Sequence, residues 1–157
     1  MILMKFENEI KGDSVVDGHD GWITVDSFQF GVGRAISASG GGKDRDTSNP
    51  SFSEITVTKS TDIASSELFM QAICGKSLGK ATFHFIQTSG DQLQNYLIYD
   101  LHDAIVSSYS LSSGGERPSE SVALNYVKIE MTYNQFSGKD VAEGKPKKWD
   151  LAANKMF

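Results

Sequence analysis

Residues 93–135 read LQNYLIYDLHDAIVSSYSLSSGGERPSESVALNYVKIEMTYNQ, and the alternation of their apolar residues decides the fold class. On one parity stand Leu93, Leu97, Tyr99, Leu101, Ile105, Tyr109 and Leu111. The other carries Gln94, Asp100, His102, Ser108 and Ser110, with Tyr96, Ile98 and Val106 as its exceptions. A period of two marks a strand with one buried face, so the first set is expected to form a core face. A turn is expected at residues 112–119, followed by a second long strand. There Val122, Leu124 and Tyr126 share one parity while Val127, Ile129, Met131 and Tyr133 share the other, and a single register cannot bury both sets. A β-bulge near residues 125–127 is expected to re-aim the strand. Strands this long point to a barrel or an extended sheet, whose second face is left for a helix or another chain to cover.

Outward from this hairpin the rest of the chain is β-rich with one helix. Residues 2–10 alternate Ile2, Met4, Phe6 and Ile10 against Lys5, Glu7 and Glu9, a first strand with one wet face. After Lys11-Gly12-Asp13-Ser14 and a turn-rich stretch through Gly21, residues 22–32 (WITVDSFQFGV) read as strand, with Phe28 and Phe30 on one side and Gln29 on the other. Residues 33–51 form a Gly/Ser/Asp loop too long for a simple hairpin turn. In the strand at 52–59, Ile55 and Val57 point inward. A helix follows, capped by Asp62 or Ser65, with stripes Ala64/Leu68/Ala72 and Phe69/Ile73 at i+4, closed by Gly75 in the left-handed conformation. Residues 78–88 put Ala81, Phe83 and Phe85 on one parity and Thr82 and His84 on the other. The expected fold is mainly β, an antiparallel barrel-like or sandwich domain with one α-helix packed against it.

At 157 residues the chain has the size of one domain with a full core. Its 39% hydrophobic and 10% aromatic content is that of a globular chain, and no apolar run reaches the roughly 18 residues of a membrane helix. The start, MILMKFENEI, lacks the pattern of a secretory signal, so synthesis in the cytoplasm is expected. A single cysteine cannot form an internal disulfide. A net charge of −5 argues against general affinity for phosphate backbones, so no nucleic-acid partner is expected.

Residues with chemical potential are few and poorly spaced. Cys74 lies on the predicted helix in an apolar context and reads as a buried, inert thiol rather than a nucleophile served by His84. Asp17, His19 and Asp20 have metal-ligand types without a metal-binding spacing and read as a solvated turn. His102-Asp103 and His19-Asp20 are sequence neighbours, which builds no dyad. The run Gly40-Gly41-Gly42-Lys43 lacks a phosphate loop's Gly at Ser37 and its Ser or Thr at Asp44. Lys145, Lys147 and Lys148 read as a solvated tail. No catalytic residue, cofactor or metal is expected.

Three stretches carry a resemblance: Lys11-Gly12-Asp13-Ser14 with His19 and WITVDSFQFGV; ITVTKSTDIASSELFMQAICGK; and YDLHDAIVSSYSLSSGGERPSESVALNYVKIEMTY. Together they are similar to the haemolysin-coregulated protein (Hcp) family, tube subunits of the bacterial type VI secretion system. Phe28 stands where the family commonly has Trp, and Met131 where it has a second aromatic; both keep an apolar side chain. The resemblance implies a homo-hexameric ring, rings stacked into a tube, a spike protein and a contractile sheath as partners, and effector proteins in the lumen. It implies a protein that is not an enzyme, secreted without a signal peptide, with no membrane partner. The alternative is a secreted effector or enzyme built on the same barrel, for whose added domain the roughly 22 residues beyond Gln135 are too few. On this reading residues 1–157 are a single Hcp-like domain, core about 2–135 and polar tail 136–157. Lys43, Asp44, Arg45 and Asp46 are the expected ring-stacking loop. Gln29, Thr82 and His84, which project opposite to Phe28 and Phe30 or to Phe83 and Phe85, are the expected lumen residues.

Overall fold

The strands of the 93–135 stretch do not stay in one sheet. The computed structural model, which describes residues 1–37 and 47–157, divides the stretch into β8 (Gln92–His102), β9 (Ile105–Ser112), β10 (Ser119–Asn125) and β11 (Lys128–Tyr133). β8 and β11 pair in a six-stranded sheet, β9 and β10 in a four-stranded one. The chain turns the first corner at Asp103, whose φ of 58° lies in the left-handed region, and the second at Tyr126 and Val127. The expected bulge at 125–127 is therefore a sheet-to-sheet corner, and the change of parity there is real.

True bulges lie elsewhere and correct the expected core face. Register shifts leave Tyr96 unmatched opposite Phe85 and Ile86, and Ser107 unmatched opposite Ala123 and Leu124. Each extra residue flips the parity beyond it. Gln94 and Val106 are consequently buried, while Leu93 and Ile105 are 41% and 37% exposed; Leu111 keeps the inward parity opposite Glu120 but, near the end of the edge strand β9, is 52% exposed.

The other elements follow in chain order: β1 (Ile2–Phe6), β2 (Ile23–Val25), β3 (Ser27–Gln29), β4 (Val32–Gly33), β5 (Ser51–Phe52), β6 (Ile55–Ser60), α1 (Ser65–Cys74), β7 (Ala81–Ser89), β12 (Gln135–Ser137), β13 (Asp140–Ala142) and β14 (Lys147–Asp150). The large sheet runs β14-β11-β8-β7-β1-β2 and the small one β3-β6-β10-β9, all antiparallel. The expected strand at 22–32 thus breaks at Asp26 and crosses between sheets as β2 and β3. The expected strand at 52–59 breaks after Phe52. Residues 136–157, expected as a polar tail, supply the β12–β13 hairpin and the edge strand β14, with Trp149 packed against the core. The flanks of the long loop pair as an antiparallel arm, Val32 with Phe52 and Ile36 with Thr47.

The core lies between the two sheets, where Met4, Phe6, Ile23, Phe83 and Leu101 of one meet Ile55, Val57, Val122 and Leu124 of the other. Phe28 reaches across from β3 to place its ring 5.0 Å from Phe83 and 5.2 Å from Phe85. Strands that change sheet at corners give the barrel-like wrap that the strand lengths implied. Gly12 is required by close approach: a Cβ there would press on the Trp22 carbonyl and sit 2.6 Å from the Ile23 Cα.

Helix α1 buries Ala64 and Leu68 and exposes Phe69 and Ile73, so one of its two apolar stripes faces the core. Its N-terminus is organised by Asp62, whose carboxylate accepts the Ala64 N–H at 2.9 Å. Gly75 leaves the helix at φ −70° and ψ 155°, extended rather than left-handed as expected. Cys74 is exposed at the helix end, not the buried thiol the sequence suggests.

Candidate functional surfaces

A buried ionic cluster fixes the helix to the small sheet. Lys59 on β6 and Glu120 on β10 are 0% and 1% exposed, and the Lys59 ammonium donates to the Glu120 carboxylate and to Asp62, each at 2.8 Å. Ser65 in the first turn of α1 donates to Glu120 at 2.9 Å, and the Tyr109 hydroxyl donates to its other oxygen. Burial opposes the charge on Glu120, but hydrogen bonds from Lys59, Tyr109 and Ser65 prevail and hold its carboxyl below the usual range. Burial first, and then the bond to Glu120, push Tyr109 up to about 12. This cluster was not singled out in the sequence. The signal was available: Lys59 shares parity with Ile55 and Val57, and Glu120 with Val122 and Leu124.

The two outward faces differ in chemistry. Across the small sheet, Gln29, Thr56, Ala123 and Ser108 are register partners, as are Ser27, Thr58, Ser121 and Ser110. These eight positions hold no charge and no large apolar side chain, and Gln29 stands exposed among them. Across the large sheet the corresponding row is Lys5, Thr82, Asp100, Glu130 and Lys148. Thr82 donates to Asp100 at 2.7 Å, Lys148 reaches Glu130 at 3.3 Å, and His102 also pairs with Glu130. Gln29 and the pair Thr82 and His84 therefore sit on the outer faces of different sheets.

His84 is joined to the turn at residues 17–21. His19 is 9% exposed, its Nε2 lies 2.8 Å from His84 Nδ1, and its Nδ1 donates to the Asp17 carbonyl over 3.1 Å. Asn95 contacts the same His84 nitrogen at 2.7 Å, and Trp22 packs on both imidazoles. Burial, and then the neighbouring His19, pull His84 down to about 4 against the opposing charge of Asp100. Asp17 and Asp20 are exposed as expected, but His19 is not solvated. Among the described residues no group of three His, Cys, Asp or Glu side chains is placed to hold a metal ion. The Gly40-Gly41-Gly42-Lys43 run and the expected stacking residues Lys43, Asp44, Arg45 and Asp46 lie outside the described residues.

Two corner-sharing antiparallel sheets with one pinned helix define a barrel-like β domain whose distinguishing features are extended faces. The chain belongs to the Hcp family of the type VI secretion system: residues 3–133 match the family described as "Type VI secretion system effector, Hcp". Protein hcp1 of Pseudomonas aeruginosa is 30% identical over 105 residues, covering 64% of this chain and 65% of that protein, just under two thirds of its length. A solved structure of a type six secretion system protein is similar over 99% of this chain and 98% of its own, with 28% identity and a TM-score of 0.91. Hcp1 from Salmonella typhimurium shares the fold at 23% identity and a TM-score of 0.74, over 99% of this chain and 97% of its own.

Proposed function

We propose that this chain is a tube subunit: six copies close into a ring, rings stack, and the bore carries effector proteins. The likeness over nearly its whole length to a type six secretion system protein carries this reading. In this arrangement the Ser/Thr-rich face with Gln29 lines the bore, because a wall with little charge and no extended apolar patch neither binds unfolded chains nor selects one cargo by charge. The charged face with Thr82 and His84 is then left to the outside of the tube. The loop with Lys43, Asp44, Arg45 and Asp46 makes ring-to-ring contacts through its alternating charges. A spike protein and a contractile sheath propel the tube, which leaves the cytoplasm through the machine it helps to build. The role is mechanical, with no bond chemistry and no cofactor. Light scattering on the purified protein should give the mass of six chains of 17.1 kDa, and negative-stain images should show rings. A mass of one or two chains at working concentration overturns the reading.

A further inference from the structure

The connection between β1 and β2 is a flap that bonds mainly to itself. Its backbone bonds close within residues 12–22: the Gly12 N–H donates to the Gly21 carbonyl, Gly21 to Ser14, Ser14 to Trp22 and His19 to Val16. Val15, Asp17, Gly18 and Asp20 are exposed, while His19 is turned inward. Among the described residues, the one hydrogen bond from residues 13–21 to anything outside residues 12–22 is the 2.8 Å contact of His19 Nε2 with His84 Nδ1 on β7. A hollow opens on either side of that contact. One, of about 480 Å³, is lined in part by Asp17, His19 and Asn95; the other, of about 450 Å³, in part by Lys5, Trp22 and His84.

The protons that this bond can hold are countable. His19 Nδ1 spends its hydrogen on the Asp17 carbonyl, so in a neutral His19 the Nε2 is bare and His84 Nδ1 must donate to it. A first added proton, on either ring, still leaves one hydrogen between the two nitrogens. A second sets N–H against N–H in two cations whose ring centroids are 5.0 Å apart, and the bond is lost. Asn95 decides which ring leaves. Its amide lies 2.7 Å from His84 Nδ1 and its Oδ1 is buried with no partner among the described residues, so the amide can turn and accept from His84 once His19 cannot. The charged groups around the pair are Lys5 and Glu7 from β1, Lys80 on β7, Asp100 from β8 and Asp17 from the flap. Asp100 favours a proton on His84, but burial, and then His19, hold that ring down to about 4.

We propose that the His19–His84 bond is an acid-released latch: residues 13–21 lie closed on the large sheet while the pair carries at most one proton and swing off when it carries two. Opening joins the two hollows and uncovers Trp22 and the Asn95 amide. The latch lies within one chain, so it stands whether or not rings form.

Trp22 packs on both imidazoles and reports the latch. In a Trp149→Phe background, acrylamide quenching of Trp22 emission should rise as pH falls from 6.5 through about 4, while the far-ultraviolet circular dichroism stays unchanged. His19→Ala should show the high quenching already near neutral pH. His84→Gln keeps a neutral bonding partner for His19 without a second titrating ring, and should show low quenching throughout. Should Trp149→Phe not fold, the difference between the unsubstituted chain and Trp22→Phe gives the same quantity. Quenching that stays flat with pH, that rises equally in His84→Gln, that is unaffected by His19→Ala, or that rises only as the circular dichroism is lost overturns the latch.

Discussion

Burying Lys59 and Glu120 beneath the start of α1 takes two charges out of water, at a cost of several kcal/mol per ion that only close pairing offsets. The cluster supplies that pairing and ties β6, β9, β10 and the helix to one another. Removing one partner is then worse than removing both. Glu120→Ala strands the Lys59 ammonium with Asp62 as its remaining carboxylate and should cost about 3–5 kcal/mol in urea unfolding. The double variant Lys59→Met with Glu120→Leu should cost much less than the sum, because no charge is left stranded. His84 gives the pH dependence. Its folded value of about 4 lies below its ordinary 6.5, so the unfolded chain binds the proton more readily between them. The stability it contributes is full above 6.5 and is lost as pH falls through 4. The depressed Glu120 carboxyl adds a loss in the same direction below its ordinary 4.5. Thermal midpoints measured at pH 7, 5.5 and 4 should fall in that order, and His84→Gln should flatten the upper part of the fall. An unchanged profile in His84→Gln would show that the His19 contact does not set it.

At the scale of elements, the corners decide which side chains are inside. Asp103 sits in the left-handed region and is exposed, so its contribution is backbone geometry alone. Asp103→Val should cost about 1–2 kcal/mol, because a β-branched side chain is disfavoured in that conformation whereas the short polar side chain of Asp tolerates it. Asp103→Gly should cost little, and chemical denaturation of the two variants would separate backbone geometry from lost side-chain contacts. The same corners explain what the sequence could reveal. Alternation reads well inside a strand: it sets Gln29 opposite Phe28 and Phe30, Phe83 inward and Thr82 outward, and each stands so. It fails across a parity break without a chemical signature, as at Tyr96 and Ser107, whose types are ordinary strand residues. The change of parity at residues 125–127 was visible, but a bulge and a sheet-to-sheet corner produce the same pattern. The partner of His19 depends on a contact between distant segments, which periodicity does not encode.

At the scale of the whole molecule, the fold sorts charge away from one face. The chain carries −5, yet the outer face of the small sheet holds no charged residue at its paired positions, which are Ser, Thr, Ala, Gln and Asn with Ile105 at one end. If six such faces enclose a bore, any charge placed there appears six times within a confined, water-filled space, where like charges add and screening over roughly 8 Å is incomplete. Gln29 on that face is exposed, so it can be replaced without disturbing Phe28 or the core. Gln29→Arg should leave the circular dichroism and the ring mass unchanged and reduce the amount of effector protein that copurifies with the rings. Gln29→Asn, shorter but neutral, should retain the effector, which separates charge from loss of a specific amide contact. Breakage of the ring by Gln29→Arg would place Gln29 at a subunit contact. Unaltered effector retention would place its face on the outside of the tube.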